Sequence, residues 1–204
     1  DKLVNAQVQV TSANLVISQN QLEMRLTAQT LANLQYNLKS QQFNYSGNAY
    51  ISQADISGLE VIDQLKDIRG NLKFNNSELS SDKLVASCLG VPIEAKVYLS
   101  YPQLKINATA PLNLKASQEI IQNKFKTGLG FDITGQANLG VEINTSLPLA
   151  GRPQISGYLD IAQAALKAPR LNAPLENIHG RLEFSNNQLK WLGMGFVFLG
   201  TPYT

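Results

Sequence analysis

Most protein catalysis and metal binding draws on histidine, cysteine or clustered carboxylates, and this 204-residue chain holds one histidine and one cysteine. His179 stands between Ile178 and Gly180 on the polar side of an alternating stretch, ENIHGRLEF. Any Ser-His-Asp or Cys-His arrangement would depend wholly on it. The chain carries a near copy of that stretch about 110 residues earlier, where Arg69 takes the place of His179. The position therefore calls for a polar side chain and not for an imidazole. Cys88 has Phe198 as its counterpart, and a site that accepts Cys or Phe is a packed apolar one. A single cysteine excludes an internal disulfide, which fits a reducing compartment or an exported protein that does without disulfides.

The remaining candidates are weaker. The acidic pairs Asp63 with Asp67 and Glu176 with Glu183 differ between the two copies and read as solvated surface. Gly47, Gly70, Gly90, Gly157, Gly180 and Gly200 recur singly in strand context, as bulges or close backbone approaches require, and not as a phosphate loop. The triplets at Asn44, Asn107 and Asn144 match the glycosylation pattern but sit in an Asn-rich chain. A net charge of +2 without a Lys/Arg run gives no footprint for nucleic acid. No catalytic residue, cofactor or metal site is expected, and the chain is not read as an enzyme.

The elements that position these residues are set by the repeat. IRGNLKFNNSELSSDKLVASCLGVP, from Ile68 to Pro92, aligns without a gap on IHGRLEFSNNQLKWLGMGFVFLGTP, from Ile178 to Pro202. Over the window 46–94 about fifteen of forty-nine positions are identical. The chain divides into 1–45, the end of a preceding unit; 46–127, a unit with a short helix near 117–127; and 128–204, a second, truncated unit. It opens inside strand-like sequence and stops where the first unit goes on into IEAKVYLSY, so it is expected to be a segment of a longer protein. Nothing at its start has the regions of a signal peptide, and no run approaches the ~18 apolar residues of a membrane span.

Period-two alternation dominates, the signature of strands with one buried face. Between Lys2 and Ser40 three such segments are read, then Phe43 to Ser52. Ser57 to Asp67 lacks clean alternation, and its counterpart KAPRLNAPLEN has two prolines, so both are expected to be crossing loops. Asp67 to Phe74 is a strand ended by the turn formers Asn75, Asn76 and Ser77. Strands follow at Leu79 to Leu89, Ile93 to Ser100 and Gln103 to Ala110, with Leu112 and Leu114 prolonging the last. SQEIIQNKFKTG alone has helical spacing, with Ser117 as its cap and Gly128 and Gly130 beyond its end. About a dozen strands of five to ten residues result, with one or two helices.

Apolar residues make up 44% of the chain and charged residues 16%, so neutral polar side chains fill the solvent-facing positions. Two architectures satisfy one-faced strands: a sandwich of two packed sheets, or a mostly β fold in which one elongated, curled antiparallel sheet forms a repeating groove with an apolar interior. Few aromatics and few helices to cover a wide sheet favour the groove. Its lining is expected to comprise Leu72, Phe74, Val97, Leu99, Leu104 and Ile106 in the first unit. In the second it comprises Leu139, Val141, Ile143, Leu159, Ile161, Ile178, Leu182 and Phe184. Leu, Ile and Val suit disordered acyl chains, each methylene removed from water contributing ~0.8 kcal/mol. LGMGFVFL, from Leu192 to Leu199, is apolar on both faces: either that strand is covered on both sides or its register shifts there.

The order G-x-A-x-hydrophobic, Leu-Pro-Leu, Ile-x-Gly, a Pro-flanked loop, I-x-G-x-L-x-F-x-N and L-G-x-P resembles the AsmA-like superfamily, especially its very large YhdP-type members, with TamB a more distant relative. Gly135, Leu147, Pro148, Gly157, Pro174, Ile178, Gly180, Leu182, Phe184, Asn186, Leu199, Gly200 and Pro202 carry the pattern, and Ile68 to Pro92 carries its second half again. The resemblance implies a non-enzymatic periplasmic protein anchored in the inner membrane of a Gram-negative bacterium. Its groove would carry phospholipid acyl chains between inner and outer membrane. A structural scaffold for outer-membrane biogenesis, its core filled and its edges docking other β-proteins, is the alternative, and an extracellular β-repeat adhesin a third.

Overall fold

The computed structural model describes residues 3–19, 21–59, 63–126, 128–147 and 152–204. Along the chain run β1 (Leu3–Gln19), β2 (Leu22–Asn37), β3 (Gln42–Leu59), β4 (Asp63–Asn75), β5 (Glu78–Cys88), β6 (Val91–Ser100) and β7 (Gln103–Asn113). Then come α1 (Leu114–Phe125), β8 (Asp132–Ser146), β9 (Gln154–Lys167), β10 (Leu175–Ser185), β11 (Gln188–Phe198) and β12 (Thr201–Tyr203). Strand order in the sheet is the order in sequence, from β1 to β12, and it does not close. The pairings are antiparallel, as short connections between neighbours demand. The chain is thus mostly β, an open antiparallel sheet with one short helix among the described residues. No helix among them is long and apolar enough to cross a membrane.

Four expectations are corrected. Most strands are longer than the five to ten residues expected, up to the 18 residues of β3. The second and third N-terminal segments are the single strand β2, whose inward positions continue through Thr30 and Ala32. Those side chains are too polar or too small to register as apolar in the pattern. Of the expected crossing loop Ser57 to Asp67, both ends are strand, since β3 runs to Leu59 and β4 starts at Asp63, and 60–62 lie outside the described residues. The register shifts between Ile51 and Ala54, Ala54 and Ile56, and Ser57 and Leu59 reset the alternation and hide the strand. Its counterpart at 168–174 does lie between strands, with Leu171 N donating to Ala168 O at 3.0 Å. The helix begins at Leu114, not 117, because Asn113 supplies the cap, its Oδ1 accepting from Ala116 N at 3.0 Å. Lys126, left-handed at φ 50°, follows its end.

The repeat is a repeat of backbone conformation. Asp67 and Asn177 share φ of 54° and 50°, Gly70 and Gly180 share 145° and 134°, and Leu89 and Leu199 share 51° and 50°. Asn76 Oδ1 accepts from Tyr45 N at 2.6 Å, and Asn186 Oδ1 accepts from Ile155 N at 2.7 Å. Gly47 faces the Phe74 ring across the β3–β4 pair, as Gly157 faces Phe184 across β9–β10.

The chain forms two compact units, residues 1–108 with 143–153, and residues 109–142 with 154–204. The first is built on buried Ala28, Ile51, Ala54 and Ile68, with Leu26, Ile56, Leu65, Leu72 and Ala86 against them. The second is built on Leu114, Ala137, Ala164 and Ile178, with Leu159, Ile161, Leu166, Leu175 and Phe196 among their neighbours. Ala54 with Ala164, Ile68 with Ile178 and Leu65 with Leu175 stand at corresponding repeat positions. Small buried alanines let adjacent strands keep the bulged geometry that both units share.

Candidate functional site

Register decides which side chains share a face, because directly opposed residues of an antiparallel pair point the same way. In the first unit Phe74 lies opposite Gly47 and Leu79, and Leu79 lies opposite Leu99. Leu72 opposes Ala49, and Val97 opposes Ser81. Leu104 and Ile106 occupy alternate positions of β7, and Ile143 lies in β8; all three are half-buried. In the second unit Leu182 opposes Leu159 and Trp191, Phe184 opposes Gly157 and Leu189, Gly180 opposes Ile161, and Ile178 opposes Ala164. Leu139 and Val141 are half-buried on β8. The expected residues thus fall on one face within each unit wherever a register pairs them.

That face is not sealed. Of the expected lining residues only Ile178 is buried, at 5% exposure, and the others remain partly accessible. Among the described residues no large side chain is fully buried. A sandwich core interposes a second sheet at about 10 Å, and here the strands all belong to the one sheet order.

The sequence reading missed how far the face extends in the first unit. Val4, Ala6, Val8 and Val10 of β1 oppose Tyr36, Leu34, Ala32 and Thr30 of β2, and Tyr36 and Leu34 oppose Phe43 and Tyr45 of β3. Val10 and Phe43 are 53% and 52% exposed. Phe43, Tyr45 and Phe74 form a row of rings with centroids 6.2 and 6.3 Å apart. The alternation of β1 and β2 carried this signal. The doubly apolar LGMGFVFL is resolved by a register shift: Leu192 opposes Arg181 on the polar face and is 46% exposed, while Met194 and Phe196 pack against the buried cluster. Gly193, at φ 56°, makes the shift between them.

The opposite face is polar. Arg181 Nε and Nη2 donate to Asp160 Oδ1 and Oδ2 at 2.6 and 2.7 Å, and the guanidinium lies 4.4 Å from the Tyr158 ring centroid. Arg181 holds the Asp160 carboxyl below its ordinary value, chiefly by these hydrogen bonds. The Tyr98 hydroxyl donates to Glu78 Oε1 at 2.7 Å, and that bond to a carboxylate raises the phenol. His179 is exposed and opposes Gly195, with Nδ1 2.8 Å from Asn177 O. Its ring occupies the space that a side chain at Gly195 would fill. Cys88 is half-buried between Leu65 and Val91. The described residues hold no group of three or more His, Cys, Asp or Glu side chains that could hold a metal ion.

Compared with known proteins, the chain matches no family model, no curated protein and no solved structure.

Proposed function

We propose that this chain is a lipid-handling segment whose apolar faces take phospholipid acyl chains, within a periplasmic protein of the AsmA-like kind that bridges inner and outer membrane. The observation that carries the reading is the half-exposed lining. Both units gather Leu, Ile, Val and Phe on one face and leave all but Ile178 of the expected lining partly open. A fold that needed these residues only as core would lose free energy by leaving them wet, roughly 25 cal/mol for each Å² exposed. Acyl chains recover that loss and need no directional contacts, which suits a face without polar anchors. The alternative is a scaffold for outer-membrane assembly, on which other β-proteins would dock by strand addition.

The test is mass spectrometry of lipids retained by the chain after gentle purification from a Gram-negative host, with Leu72→Asp and Leu182→Asp compared by circular dichroism for retained sheet. A carboxylate on the face costs several kcal/mol against an acyl chain. Phospholipid at about one or more molecules per chain, lost in the folded variants, is the expected result. Lipid-free, monomeric, soluble protein would overturn it and favour the scaffold.

A further inference from the structure

The polar face of the first unit carries an uncharged, amide-rich surface. Two shallow depressions lie there, of about 830 Å³ and about 260 Å³. Primary amides are the commonest groups in their walls, with Ala6, Leu34 and Tyr45 also lining the larger one: Asn5, Gln35 and Asn44 stand in register across β1, β2 and β3, and Gln7, Asn33, Ser46 and Asn75 form the next row. The smaller depression is walled by Gln9, Gln29, Asn48, Asn71 and the half-exposed ring of Tyr50. None of the residues lining either depression is charged. Lys73, opposite Asn48, is directed to Asp82 at 3.6 Å.

We propose that this face binds a neutral saccharide chain bearing acetamido groups. Each primary amide offers two donors and an acceptor, and sugar hydroxyls and acetamido groups both donate and accept. Gln7 Nε2 donates to Asn33 Oδ1 at 3.2 Å and Gln35 Nε2 to Asn5 Oδ1 at 3.1 Å, so the amides orient one another and keep further donors and acceptors for a ligand. Tyr50 lies between Gln29 and Asn71 in register and presents a flat apolar surface of the kind a pyranose ring stacks on. An anionic polymer would find no cation in the lining.

The second unit shows that the architecture does not demand the smaller depression. At the positions corresponding to Asn48, Tyr50 and Asn71 it places Tyr158, Asp160 and Arg181, and the ion pair and ring contact among them occupy the place of the amides.

The test is a titration of the isotopically labelled chain with a β-1,4-linked N-acetylglucosamine tetramer, followed by NMR, with the corresponding glucose tetramer as comparison. Expected are millimolar affinity, shifts confined to side-chain amides and backbone of the polar face of β1 to β4, and weaker binding of the glucose tetramer. Tyr50→Ala and Asn33→Ala, both exposed positions whose variants should fold, are expected to weaken binding about tenfold each. Absence of shifts at high millimolar probe, shifts mapping elsewhere, equal binding of both tetramers, or full affinity in the folded variants would overturn the proposal.

Discussion

At the scale of single residues, the face is kept regular by contacts that a glycine permits. A Cβ at Gly157 would meet the Gly140 carbonyl oxygen and lie 2.6 Å from Phe184 Cζ, and one at Gly47 would meet the Leu31 carbonyl oxygen and lie 2.5 Å from Phe74 Cζ. In each pair the ring covers backbone that the glycine leaves bare. Because the obstruction is partly backbone, neither neighbour yields cheaply. Gly157→Val should therefore cost about 1–3 kcal/mol in urea unfolding, and Gly47→Val a similar amount. Ser81 works in the opposite direction: it is 5% exposed on the apolar side opposite Val97, and its Oγ has no hydrogen-bond partner. Ser81→Ala should raise stability by roughly 1 kcal/mol, since it removes a desolvated hydroxyl at little loss of packing. Asp160 gives a pH test. Its carboxyl is depressed in the folded chain, so its contribution is present above the unfolded value of about 3.9 and is lost as pH falls through the folded value. Both partners are more than a third exposed, at 44% and 38%, so the effect is small. Denaturation midpoints of the parent chain should exceed those of Asp160→Asn near pH 6 and converge with them on acidification below about pH 4; a constant difference would exclude this ion pair as the cause.

At the scale of elements, the helix rests on its first turn. Asn113 caps it, and buried Gln118 ties it to the start of β8, its Nε2 donating to Phe131 O and its Oε1 accepting from Ile133 N at 3.0 Å. Asn113→Ala should cost about 1 kcal/mol in thermal unfolding, whereas Ser117→Ala, which removes the cap expected from sequence, should cost less than half of that. The contrast shows where the sequence was legible. Period-two alternation located β6 and β7 closely, at Val91–Ser100 and Gln103–Asn113, because both carry their apolar residues at alternate positions. It failed where a bulge resets the phase, as between Ile51 and Leu59 and again at Gly193, since a one-residue shift moves every later side chain to the other face. It also failed at Leu114, an apolar residue that continues a strand pattern and opens a helix equally well. Which apolar residues share a face was readable from alternation and repetition, but their partial exposure was not, because the same pattern describes a closed sandwich core.

At the scale of the whole molecule, the repeat extends beyond the stretch in which the sequence declares it. Identity is visible from Ser46 onward, yet the β2 strand before it also has its counterpart: Gly47 approaches the Leu31 carbonyl as Gly157 approaches that of Gly140, which places buried Ala28 at the position of buried Ala137. The correspondence there is displaced by one residue, enough to hide it from an ungapped comparison. Each unit consequently owns a core of related design, buried Ala28, Ile51, Ala54 and Ile68 in one and buried Ala137, Ala164 and Ile178 in the other, where half-buried Ile161 takes the place of Ile51 and Leu114 of the helix is added. In a sheet whose strands pair only with their neighbours in sequence, stability is a sum of local terms, and a lesion should be felt near its own cluster. Ile68→Ala and Ile178→Ala each remove a buried side chain and should cost about 2–4 kcal/mol locally. Hydrogen exchange followed by mass spectrometry should then show accelerated exchange in β2 to β5 for Ile68→Ala and in β8 to β11 for Ile178→Ala, each leaving the other set near its parent rate. Acceleration of both sets by either substitution would mean that the two clusters unfold as one, and that a lipid on either face would stabilise the entire sheet and not only the strands beneath it.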